Sequence, residues 1–152
     1  SVHEVPRAQR DEVAAVFPGE DLEGVLIVPT TQRSVLDLVN TGEAVDGEKD
    51  SLLEKFFEWA KAACERLQAQ GFWCDYIDPC SGLAMVHKQN SSVYDEVAAL
   101  SVLRKYRCSN AGCCKIVLHP EWGSSVYPAT LFARAPLEAL QEAIAAAEAA
   151  MQ

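Results

Sequence analysis

Long apolar runs are missing from this 152-residue chain. None approaches the roughly 20 residues that a membrane-spanning helix needs, so no membrane partner is expected. Basic residues are also scarce: 13 Lys and Arg stand against 22 Asp and Glu, for a formal net charge of -9 and a sequence pI near 4.7. With no basic stripe to neutralise phosphates, nucleic acid is excluded as an expected partner. The chain has no charged n-region followed by an apolar h-region, no glycine-rich phosphate loop and no Cys-x-x-Cys motif. The start at Ser1 rather than Met suggests a trimmed or processed form, and an N-terminal targeting segment would lie outside this sequence.

What remains is the composition of an ordinary globular protein, 49% hydrophobic and 23% charged, in a length that suits one domain burying about two thirds of its unfolded surface. Six cysteines, at 64, 74, 80, 108, 113 and 114, are compatible with three disulfides. Reduced thiols are the better reading, because Cys64 falls on a helical stripe, Cys113 and Cys114 are adjacent, and a chain of this size folds without staples.

Patterning predicts an α+β fold. Residues 1–21 read as a lead-in segment, with a short helical pattern over 11–16 closed by Pro18-Gly19, ahead of one domain over 22–152. Residues 24–28 form a buried strand stopped by Pro29, and 30–47 read as a loop, whose acidic part at 43–50 is solvated. Asp50 caps a helix with Leu52, Leu53, Phe56, Phe57, Ala60, Ala63, Cys64 and Leu67 at helical spacing, ended by Gly71. Residues 72–77 and 83–87 flank a turn containing Asp78-Pro79 and read as a hairpin. A helix over 93–107, a turn over 108–112, a strand over 114–118, an edge or bulged strand over 125–133 and a helix from Pro136 complete the chain. Such mixed runs favour a mainly antiparallel sheet covered by helices.

The chemistry concentrates at residues 108–123, Cys-Ser-Asn-Ala-Gly-Cys-Cys-Lys-Ile-Val-Leu-His-Pro-Glu-Trp-Gly. Zinc accepts thiolates and imidazole, but adjacent residues rarely face one ion and the usual two-residue spacer is absent. Redox chemistry of the vicinal pair is disfavoured by ring strain. A third reading makes one thiolate a ligand to a cofactor's metal, with Lys115 and a protonated His119 favouring the thiolate. By pattern alone it ranks level with cysteines that merely pack. Elsewhere, Asp75 and Asp78 read as structural before catalytic, and His3 and His87 carry no argument.

The segments Gly-Phe-Trp-Cys-Asp-Tyr-Ile-Asp-Pro-Cys-Ser-Gly-Leu-Ala (71–84) and Gly-Cys-Cys-Lys-Ile-Val-Leu-His-Pro-Glu-Trp-Gly (112–123) closely resemble the cobalamin trafficking proteins of the cblD type, the methylmalonic aciduria and homocystinuria type D family. The resemblance implies an adaptor rather than an enzyme, on a modified nitroreductase-like fold that has lost flavin. It implies cobalamin as the group carried, received from a cblC-like processing protein and directed to methionine synthase and methylmalonyl-CoA mutase. Carried onto this chain, Cys113 is the axial thiolate to cobalt, and Cys114, Lys115, His119 and Trp122 complete the candidate cofactor-binding set. A cytoplasmic location follows, with mitochondria reached through an N-terminal segment outside this chain. The competing reading is a thiol-dependent or nitroreductase-like oxidoreductase.

Overall fold

Two nine-residue strands, β2 (Val25–Arg33) and β6 (Val126–Arg134), pair antiparallel along their full length and build the centre of the molecule. The computed structural model describes residues 1–111 and 114–152, with only the backbone at Ala111 and Cys114. Around the central pair stand β1 (His3–Glu4) and β3 (Trp73–Tyr76), giving a four-stranded antiparallel sheet in the order β1-β2-β6-β3. The helices are α1 (Arg10–Val16), α2 (Glu43–Ala69), α3 (Glu96–Leu103) and α4 (Leu137–Ala150). A separate two-stranded sheet joins β4 (Arg107–Ala111) to β5 (Cys114–Leu118). The α+β class and the antiparallel sheet agree with the sequence reading.

Alternation along the strands sends side chains to two cores. Val28, Cys74, Tyr76, Ala129, Leu131 and Ala133 face α2 and α4. Val25, Ile27, Ile77 and Phe132 face α1 and the start of α3 on the other side. Each buried Val, Leu, Ile or Phe among these stabilises by about 1.5–3 kcal/mol. Residues 1–21 belong to this second core: Val13, Val16 and Phe17 are buried in it, and β1 pairs with β2.

Several boundaries differ from the sequence reading, each for a physical reason. Strand β2 runs through Pro29 instead of stopping there. The amide of Ile77 donates to the Thr130 carbonyl, so Thr130 turns its backbone groups toward β3, and its rung partner Pro29 needs no N–H toward β6. Pro128 shares that parity. It lies on a central strand rather than an edge, but beyond the rungs that β3 reaches, so its missing donor costs no ladder bond. Helix α2 begins seven residues ahead of Asp50. Glu43 and Asp46 sit in its first turn, where acids favour the helix dipole, and buried Val45 anchors the added turns. The acidic stretch at 43–50 is thus helical. Residues 108–111 form strand rather than turn.

The expected hairpin after β3 is reduced to a single bridge, Ile77 with Ala84. What organises the segment is Asp75, which is 0% exposed. Its carboxylate accepts from the amides of Tyr76, Val86 and His87 at 2.8, 3.0 and 3.0 Å. A buried carboxylate must find such donors, and here they come from the loop itself. Asp78 makes the turn, accepting from the Cys80 amide at 2.9 Å and the Ser81 hydroxyl at 3.1 Å. At Gly82, with φ +74°, an added Cβ would come within 2.7 Å of Val93 Cβ and 3.1 Å of the Tyr94 backbone.

Helix α3 is capped by Asp95, whose side chain accepts from the Ala98 amide, and is tied to the sheet by Glu96. The Thr130 hydroxyl donates to Glu96 Oε2 at 2.5 Å, while Oε1 is buried among the described residues without a partner. Burial pushes the Glu96 carboxyl up to about 8, opposed by the Thr130 hydrogen bond.

Two predictions follow from these contacts. A raised folded-state value gives stability that is fully present below the ordinary carboxyl range and is lost as pH rises toward about 8. Glu96→Gln should therefore match the parent near pH 4.5 and exceed it at pH 8, by on the order of 2 kcal/mol in urea unfolding. Gly82→Ala should lower stability by about 2–4 kcal/mol, read as an earlier urea midpoint, because both the backbone angle and the contact with Val93 oppose it.

Candidate functional site

The motif that carries two adjacent thiols maps onto the β4–β5 arm. Its rungs pair Arg107 with Leu118, Cys108 with Val117, Ser109 with Ile116, Asn110 with Lys115 and Ala111 with Cys114. The arm is a sheet of its own and stands on a small apolar base of Leu100, Tyr106, Val117 and Val126, with Val97 and Trp122 packed against it. Cys113, the expected cobalt ligand, lies outside the described residues with Gly112. Cys114 opens β5, and its side chain is likewise outside them. Lys115 is exposed on β5, and Cys108 is exposed on β4.

His119 and Trp122 are at the other end of the arm. His119 lies five residues beyond Cys114, about 16 Å away along an extended strand. That separation keeps the imidazole off any ion held near Cys114. Cys108, opposite Val117, is three rungs from Cys114, about 10 Å away on the same measure. Cys108 and His119 are therefore not brought together with the start of β5, and among the described residues no group of three His, Cys, Asp or Glu side chains could hold a metal.

His119 instead organises the base. Its Nδ1 accepts from the amides of Glu121 at 3.0 Å and Trp122 at 3.2 Å, which requires Nδ1 to be unprotonated. Two backbone bonds with Gly123 close the turn, and the ring lies flat on Trp122 at 3.9 Å between centroids, with Tyr106 edge-on at 5.3 Å. The Arg104 guanidinium sits 5.0 Å over the Tyr106 ring. His119 and Trp122 thus close the turn at the base of the arm.

The other cysteines divide by environment. Cys64 and Cys74 are buried between α2 and β3, and the Cys74 thiol is pushed well up, first by its interaction with Cys64 and then by burial. Both are inert packing groups, in agreement with the structural reading of Cys64. Cys80 is exposed, with its sulfur 3.9 Å from the Tyr127 hydroxyl.

One constellation escaped the sequence reading. His87 Nδ1 lies 2.6 Å from Asp75 Oδ2, and its ring stacks on Trp73 at 5.5 Å and 22°. The signal was available at Asp75, since it shares strand parity with Trp73 and Ile77 and a carboxylate turned inward needs donors. Which histidine supplies one is not written locally.

With this geometry in hand, comparison with known proteins gives a single answer. The family profile described as methylmalonic aciduria and homocystinuria type D protein matches residues 1–144. Proteins named cobalamin trafficking protein CblD are similar over 135 residues, 89% of this chain and 46% of theirs: 31% identical in Rattus norvegicus, 31% in Homo sapiens and 28% in Gallus gallus. The chain spans about half the length of these curated relatives. It belongs to the methylmalonic aciduria and homocystinuria type D protein family.

Proposed function

We propose that this chain is a cobalamin-trafficking adaptor which offers the Cys113 thiolate to cobalt as an axial ligand while a cblC-like processing protein holds the corrin. Cobalamin is its cargo, to be passed toward methionine synthase and methylmalonyl-CoA mutase. The observation that carries the reading is family membership over residues 1–144, together with a motif of adjacent thiols whose second member, Cys114, opens β5 of an arm outside the main sheet. In this reading the fold is a nitroreductase-like sheet that has given up flavin, and the protein works in the cytoplasm and in mitochondria.

The chemistry suits a carrier. A thiolate is a soft donor able to replace water at one axial position of cobalt, and the bond is broken again by competing thiols or by reduction of the metal. Lys115, exposed on β5, adds a positive charge close in sequence that favours the thiolate over the thiol. The corrin supplies the four equatorial nitrogens, so one protein donor completes the contact. The scattered placement of Cys108 and His119 is consistent with a site that needs only one ligand.

Mixing the protein with a cblC-like partner, cobalamin and a reductant should produce a thiolate–cobalt absorption band. Cys113→Ser should abolish that band and Cys114→Ser should retain it. Identical visible spectra for Cys113→Ser and the parent would sink the assignment.

A further inference from the structure

His87 has the features of a prepared nitrogen ligand. Asp75 is completely buried, and its two oxygens already accept three backbone amides, from Tyr76, Val86 and His87. The loop is therefore held without the imidazole. The added 2.6 Å contact with His87 Nδ1 places the ring proton on Nδ1, since a carboxylate only accepts. Nε2 has no hydrogen-bond partner among the described residues.

The ring is also fixed in orientation. One face lies on Trp73, whose own ring has the Arg134 guanidinium 5.5 Å from its centroid. Asp75 covers the Nδ1 edge. The side chain is nevertheless 36% exposed. Val86, the preceding residue, is 38% exposed and gives the surroundings an apolar component. A carboxylate that orients an imidazole through one nitrogen and leaves the other without a protein partner is the arrangement that surrounds metal-bound histidines.

A lone histidine cannot hold a free metal ion, which needs several protein donors. It can complete a metal that arrives with its equatorial ligands in place. We infer that His87 Nε2 is a second axial ligand position for a corrin cobalt, separate from the arm that carries Cys113. The inference rests on the reading of cobalamin as cargo. The step is a ligand exchange: the Nε2 lone pair of the neutral imidazole forms a bond to cobalt and an axial water leaves; from an imidazolium the Nε2 proton first passes to solvent, and no electron is transferred.

Asp75 pairs with Phe132, six residues along β6 from Val126 at the base of the arm, a span of about 20 Å. A nitrogen donor and a sulfur donor on one carrier would hold the cargo at two places with different ligand softness.

The test uses cob(II)inamide, a corrin without its nucleotide base, so that any nitrogen on cobalt must come from the protein. Its unpaired electron points along the axial direction, and electron paramagnetic resonance should show three-line nitrogen splitting with the parent protein and with Cys113→Ser. His87→Asn keeps a donor toward Asp75 and removes Nε2; it should lose the splitting while its thermal melt matches the parent. If that variant does not fold, two measurements replace it. Protein labelled with nitrogen-15 histidine should change three lines to two, and the His3→Gln, His119→Gln double variant should keep the splitting, which leaves His87 as the remaining histidine of three. No nitrogen splitting in the parent, or splitting that persists in His87→Asn, overturns the inference. Nitrogen splitting without any thiolate–cobalt band in the partner mixture would instead sink the Cys113 assignment and leave this one standing.

Discussion

The continuous pairing of β2 with β6 is the constraint on which the other elements depend. It fixes which side chains face α2 and α4 and which face α1, because a shift of one residue would exchange the two faces. It also sets the stations of the neighbours. Strand β3 rides on the C-terminal end of β6, the arm stands near its N-terminal end, and Thr130 in between receives Glu96 from α3. Both prolines of the central pair fall on rungs that require no donor, so the ladder survives them.

The parts of the fold legible in the sequence are those set by local period. The apolar run at 24–28, the stripe from Leu52 to Leu67 and the Ala-rich end all became elements of the expected kind. The misread boundaries depend on information held elsewhere in the chain. Whether Pro29 ends a strand depends on the parity imposed by Thr130, and whether residues 43–50 are helical depends on a pocket for Val45. Residues 83–87 carry apolar spacing suited to a strand, yet Asp75 takes the amides of Val86 and His87 and Asn90 that of Ala84, and side chains that compete for backbone donors leave no sign in periodicity.

The candidate site was legible in a different way. Three cysteines and a histidine suggested a zinc site by composition, which their spacing already disfavoured, and the strand geometry sets Cys108 and His119 apart from Cys114 along the arm. Resemblance identified the motif and the family, and the geometry shows what His119 does within it: it accepts two amides and closes the turn that supports the arm. The Asp75–His87 contact was missed because it joins a strand to an irregular loop twelve residues later, and neither partner announces the other.

The arm shares no ladder with the main sheet, and this has a mechanical meaning. A load applied to its far end would reach the body through the small base of Leu100, Tyr106, Val117 and Val126 and through the chain that runs from β5 into β6. Leu100 belongs to α3, and α3 is latched by Glu96 onto Thr130 at the middle of the sheet. Force at the tip would therefore divide between a short helix and the first residue of β6. An arm hung on so few apolar side chains can yield at its base before the nine-rung β2–β6 ladder does.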